Sequence, residues 1–152
     1  MGDDDPEEKA IDHLADTLEK LNIQPSVYIH RGHSFHVPST MKRILPSARI
    51  VILGSCGGYN NINEVLSISD DAHIISSKQT GTMHVNEPLL QSIDNLLLAG
   101  KSIEWVPLWK DLEKKFKDPA SRERFDDYIP PFKNLGALYI KAYKLQMKKQ
   151  AR

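Results

Sequence analysis

A single cysteine, Cys56, in 152 residues excludes both an internal disulfide framework and a multi-cysteine zinc site. Net charge is missing too. Twenty Lys and Arg offset twenty Asp and Glu, which removes bulk electrostatics as a reason to bind nucleic acid or an anionic membrane. No run approaches the roughly 20 apolar residues of a membrane span. The opening MGDDDPEEK is acidic where a secretory signal would be basic, so the expected location is the cytoplasm. There is no internal repeat and no low-complexity tract beyond that acidic start. Neither G-x-x-x-x-G-K-[ST] nor G-x-G-x-x-G occurs, and no cofactor is expected. What remains, 40% hydrophobic and 26% charged residues, is ordinary for one soluble globular domain over 1–152. A chain of that size buries about two thirds of its unfolded surface without staples.

Asp5, Pro6 and Glu8 read as an N-cap, a first helical residue and a capping-box partner. Ile11, Leu14, Leu18 and Leu21 follow at helical spacing, predicting a helix over 6–21 that Asn22 and Pro25 close. Residues 26–30 read as a short buried strand. Residues 49–54 (RIVILG) read as a central parallel strand covered on both faces. A third strand is expected at 72–77 and a fourth, at an edge, over 102–106. Helices are expected at 38–45, 61–69, 87–98 with Gly100 as its cap, 107–116 and 134–149. Asp118–Pro119 reads as a stop, and 122–131 as irregular. Trp105, Trp109, Leu96 to Leu98 and the stripe Leu135, Leu138, Ala142 and Leu145 read as core. Asp3, Asp4, Asp5, Glu7 and Glu8 at one end and Lys141, Lys144, Lys148, Lys149 and Arg152 at the other read as compensation of helix dipoles. Strands alternating with helices predict a three-layer α/β/α domain with a small, mostly parallel sheet of three or four strands.

In an open α/β sheet, ligands bind beyond the carboxyl ends of the strands. Two adjacent strand ends carry reactive residues here: His30-Arg31-Gly32-His33-Ser34 and Gly54-Ser55-Cys56-Gly57-Gly58. Sequential strands neighbour one another about two thirds of the time, so the two loops are expected to face each other. At a strand-to-helix turn, Cys56 would lie near the positive end of a helix dipole, which favours the nucleophilic thiolate. Gly57 and Gly58 leave the backbone bare for N–H groups to meet an oxyanion. A histidine from the neighbouring loop would serve as base and then acid. Read alone, Cys56 is a small buried hydrophobe and Gly57–Gly58 only turns the chain. Ser76, Ser77 and Lys78, with Thr80, end the third strand, where they would line a substrate cleft or form a polar strand exit.

The strand ending in Gly32-His33-Ser34, followed by the strand VILGSCGG around Cys56, resembles the caspase–hemoglobinase fold of cysteine peptidases (caspases, legumains, clostripain, gingipains and separases). The resemblance covers about residues 26–77. It implies a His–Cys dyad in which His33 is the base and Cys56 the nucleophile, cleaving a peptide bond through an acyl-enzyme. Gly32, Ser34 and Gly57 would support the oxyanion or the loops. The family's glycine directly after the histidine is Ser34 here, and Gly32 precedes the histidine instead; His30 is the other candidate base. Such folds carry two further strands ahead of the histidine strand, which implies a catalytic half of a longer protein. A sheet without them has an open edge that predicts pairing with another chain or a second copy. The implied partner is a peptide or protein substrate.

Two further readings stand beside this one. A peptidase-like scaffold would bind without cutting. The same Gly54–Gly58 turn also matches the G-x-C-x-G elbow of class I glutamine amidotransferases, with His84 and Glu87 as the later partners. His30, His33 and His36 form an H-x-x-H-x-x-H series, but Gly32 and the preceding strand argue for a loop, and no metal is expected. A phosphatase loop would need an arginine near Asn61 or Ile62, where there is none.

Overall fold

The β-branched and apolar runs form three parallel strands, β1 (Val27–His30), β2 (Ile50–Leu53) and β3 (His73–Ser77). Val27 lies opposite Ile50 and His30 opposite Leu53; Leu53 in turn lies opposite Ser76. A two-residue strand, β4 (Tyr128–Ile129), joins antiparallel to β3 with Tyr128 opposite Ser77. The sheet order is β1-β2-β3-β4, so β1 and β4 are its edges. The structure is a computed structural model that describes residues 6–152; the expected cap at Asp5 and the acidic residues Asp3 and Asp4 lie outside the described residues.

Seven helices surround the sheet among the described residues: α1 (Pro6–Lys20), α2 (Val37–Met41), α3 (Ile62–Ile68), α4 (Met83–Leu98), α5 (Trp105–Glu113), α6 (Pro119–Asp126) and α7 (Leu135–Gln150). Because side chains alternate along a strand, β2 feeds two cores. Val51 and Leu53 pack with Met41 of α2, Val65 of α3 and Ala137 of α7. Ile50 and Ile52 pack with Leu89 of α4, Leu112 of α5 and Phe125 of α6. Strands ordered one way with crossovers of one hand put successive helices on one face, which is where α2 and α3 lie. The result is the expected three-layer α/β/α fold. Among the described residues no helix is long and apolar enough to cross a membrane.

Several local expectations are corrected. Residues 102–106 form no strand; α5 already begins at Trp105, and the edge strand comes instead from Tyr128–Ile129. Asp118–Pro119 starts a helix rather than only stopping one. The Asp118 side chain accepts the Ser121 N–H at 2.9 Å and Pro119 takes the first turn of α6, where its missing N–H costs nothing. The α4 helix starts at Met83, capped by Thr82 and tolerating Pro88 within it. The α7 stripe is also corrected: Leu135 and Leu145 are exposed, and the helix packs through Ala137 and Ile140. Leu98 is exposed as well, whereas Trp109 is buried and stacked on Phe125. No residue of α1 is fully buried; Ile11 and Leu18 are half-buried and Leu14 is exposed, although the three repeat at core spacing.

Candidate active site

The register sends both reactive loops out of the same end of adjacent strands. Beyond the His30–Leu53 pair, the Gly54 N–H donates to the His30 carbonyl at 2.8 Å, so the ladder continues to the mouth of both loops. His30 is buried, and both its ring nitrogens are taken: Nδ1 lies 2.7 Å from the Thr40 hydroxyl and Nε2 lies 3.1 Å from the His33 carbonyl. A carbonyl only accepts, so Nε2 carries the proton and Nδ1 accepts from Thr40. Burial pulls the His30 pKa below 6.5, against the opposing pull of its bond to His33. A neutral, doubly bonded imidazole is a poor base. His30 instead pins the backbone of His33 and so settles which histidine of the pair is open.

His33 is exposed and precedes a 3-10 turn, Ser34–His36, whose last N–H returns to the His33 carbonyl at 3.0 Å. Its ring has no partner among the described residues. Cys56 is a free, exposed thiol on the turn after β2. The two loops leave the ends of adjacent strands, and no hydrogen bond joins the Cys56 thiol to the His33 ring. In resting sites such bonds are often long and tighten only with substrate.

The Cys56 turn is tied from behind. Gly57 adopts φ +66°, a left-handed conformation that glycine takes without penalty. Its N–H donates to the Gln79 carbonyl at 3.2 Å, and the Gly58 N–H goes to the Ser55 carbonyl at 3.2 Å. Both amides expected at an oxyanion are therefore engaged, that of Gly57 by the loop after β3 and that of Gly58 within the turn. The helix that follows also starts later than expected: a 3-10 turn, Gly58–Asn61, intervenes before α3. Cys56 lies outside the first turn of α3, where a helix dipole acts.

Beneath this turn is a buried polar cluster. The Ser77 hydroxyl donates to the Ser55 carbonyl and accepts the Gly58 N–H at 3.4 Å. Asn86 Nδ2 donates to the Gly54 carbonyl at 3.0 Å, and Asn86 Oδ1 accepts the Tyr128 hydroxyl at 2.8 Å. Tyr128 in turn accepts the Thr82 N–H at 2.9 Å. Burial pushes the Tyr128 phenol up to about 12, the Thr82 contact works against that rise, and negative charge on Asp127 or Cys56 adds to it. A Cβ on Gly54 would meet Asn86 Oδ1 at 2.2 Å, so only glycine lets Asn86 reach the strand end. The loop after β3 is gripped in the same manner: Asp127 Oδ2 accepts the N–H groups of Gln79 and Thr80 at 2.9 and 2.7 Å.

The expected cleft residues are corrected by their burial. Ser76 and Ser77 are fully buried; Ser77 braces the turn, while the hydroxyls of Ser76 and Ser55 are buried without a protein partner. Lys78 is exposed but reaches back to the Asp126 carbonyl at 3.3 Å. Asn86, Thr82 and Tyr128 were not anticipated. The one available signal was an asparagine beside Val85 and Leu89 on the buried side of a helix.

The remaining candidates separate. His84 lies 2.9 Å from the Ser121 hydroxyl and edge-on to Phe116, and Glu87 pairs with Arg31, so the amidotransferase partners are committed elsewhere. His36 faces the Glu7 carboxylate at 3.1 Å, and no group of three His, Cys, Asp or Glu that could hold a metal occurs among the described residues. No family model, no curated protein and no solved structure matches this chain.

Proposed function

We propose that the chain is a cysteine-peptidase-like hydrolase in which Cys56 is the nucleophile and His33 the base. The observation that supports this most directly is the His30–His33 bond: a buried neutral imidazole anchors the His33 backbone beside the Cys56 turn and leaves the His33 ring unoccupied. In the reaction the Cys56 thiol gives its proton to the His33 ring, and sulfur attacks the peptide carbonyl. The carbonyl π pair moves to oxygen. As it returns, the C–N bond breaks and His33 passes the proton to the departing amine. Water, deprotonated by His33, then adds to the thioester, and the carboxylic acid leaves as the thiolate is reprotonated.

The test is iodoacetamide alkylation of Cys56 at pH 7, followed by mass, in the parent chain and in His33→Ala. A dyad predicts slower alkylation in the variant and covalent labelling by a peptidyl electrophile. Equal rates in both proteins would remove the mechanism. That outcome would favour the reading in which a peptidase-like scaffold binds without cutting, to which the engaged N–H groups of Gly57 and Gly58 lend support.

A further inference from the structure

We propose a second site that the hydrolase reading does not use: the channel between β1 and α1 takes an extended peptide strand from a partner protein, apolar at alternate positions and carrying a basic residue. The channel has a volume of about 680 Å³ and is walled by Ile11, Leu14 and Leu18 of α1 on one side and Val27 and Ile29 of β1 on the other. Its size falls within the range of about 300–1,000 Å³ that ligand clefts occupy.

Main-chain chemistry names the occupant. β1 lies at the sheet edge and, among the described residues, pairs with β2 alone. The carbonyls of Ser26 and His30 accept from Ile50 and Gly54, so the alternating ladder turns Tyr28 toward β2 as well. Val27 and Ile29 therefore aim their N–H and C=O groups away from the sheet. These groups have no backbone partner among the described residues and border the channel. A row of free donors and acceptors at strand spacing is complemented by another strand, with apolar walls receiving alternate side chains.

Charge narrows the occupant further. The basic groups on the channel rim are already engaged, Arg43 with Asp12 and Lys42 with Glu8 at 3.6 Å. Asp16 and Glu19 also line the channel and have no ionic partner among the described residues, which favours a basic side chain on the incoming strand. A second copy of this chain fits less well, because its own α1 would have to enter the same channel.

The probe is a short fluorescein-labelled peptide of alternating valine and threonine with lysine at each end, titrated against the full chain by anisotropy. Saturable binding is expected, with slowed hydrogen exchange at the Val27 and Ile29 amides. Methylating alternate peptide nitrogens should weaken it by about tenfold. Ile29→Pro should do the same while leaving the circular dichroism intact, since proline is tolerated where an edge N–H faces outward. The double variant Asp16→Lys, Glu19→Lys, on a helix without a fully buried residue, should weaken binding of this lysine-flanked probe. No binding, binding indifferent to N-methylation and to Ile29→Pro, or a concentration-dependent dimer of the free protein that Ile29→Pro abolishes would each overturn the proposal.

Discussion

Behind the Cys56 turn stand Ser77, Asn86, Tyr128 and, through the loop after β3, Asp127. Behind the His33 loop stands the imidazole of His30, hydrogen-bonded to Thr40. The first support is buried at Ser77, Asn86 and Tyr128 and drawn from three elements. The second sits beside an open sheet edge and rests on an imidazole whose pKa burial lowers below 6.5. The two halves of the candidate dyad are therefore not equally secured. The candidate nucleophile rides on the fold, whereas the candidate base rides on one protonation state of His30.

The largest effect expected is on chemistry. If the proposed dyad operates, His33→Ala should lower peptide hydrolysis by about 10²–10⁴-fold, the usual contribution of a positioned base, while leaving thermal unfolding unchanged because the ring is exposed and has no partner among the described residues. An assay of turnover beside a melting curve checks both halves.

Breaking the buried support should be felt in stability. Asn86→Ala removes the side-chain donor to the buried Gly54 carbonyl and the better of the two acceptors of the Tyr128 hydroxyl, which keeps only its contacts with Thr82; an unsatisfied buried group costs about 1–3 kcal/mol. A fall in Tm of roughly 10 °C is expected from calorimetry. Tyr128→Phe removes the outer bond of the same chain and should cost about 1 kcal/mol, measurable by urea unfolding. A Tyr128→Phe loss as large as that of Asn86→Ala would mean that the phenol, not the amide, organises the cluster.

The histidine side sharpens the comparison through pH. The His30 pKa lies below its unfolded value of 6.5 because burial disfavours the cation. The unfolded chain therefore binds the proton more readily, so this contribution is full above about pH 6.5 and is lost as pH falls from there toward the depressed folded value. Acidification should loosen the His33 loop before the Cys56 turn, read as a loss of amide-exchange protection relative to the intrinsic rate at each pH at residues 33–36, and His30→Gln should flatten that dependence. The smallest effect is expected on α1: Leu14→Ser, at an exposed position, should change stability by no more than about 0.5 kcal/mol.

Much of the fold was legible because it rests on local patterns. The run at 49–54 could only be a strand covered on both faces, and both reactive loops follow from strand ends that the sequence marks. The Asp118–Pro119 pair shows how the same signal can be misjudged. Asp–Pro stops one helix and caps the next, as it was read to do at Asp5–Pro6, and only the neighbouring elements decide which role matters. β4 was invisible because two residues have no period; it exists because the β3 edge supplies hydrogen-bond partners. The exposed leucines of α7 and α1 point the same way, since helical spacing shows that a face is apolar but not whether anything covers it.

By itself the sequence determined the layer architecture, the parallel order of the central strands and the exit of a histidine loop and a cysteine loop from the same end of adjacent strands, since periodicity and strand adjacency are local or nearly so. Tertiary structure decided which histidine is free, that Ser76 and Ser77 are buried supports, that the Gly57 and Gly58 amides are engaged, and that β1 keeps an open edge beside α1. Each of these depends on contacts between residues far apart in the chain, such as Tyr128 with Asn86 or Asn86 with Gly54. The distance between such residues is set by how the layers pack and leaves no periodic trace in the order of amino acids.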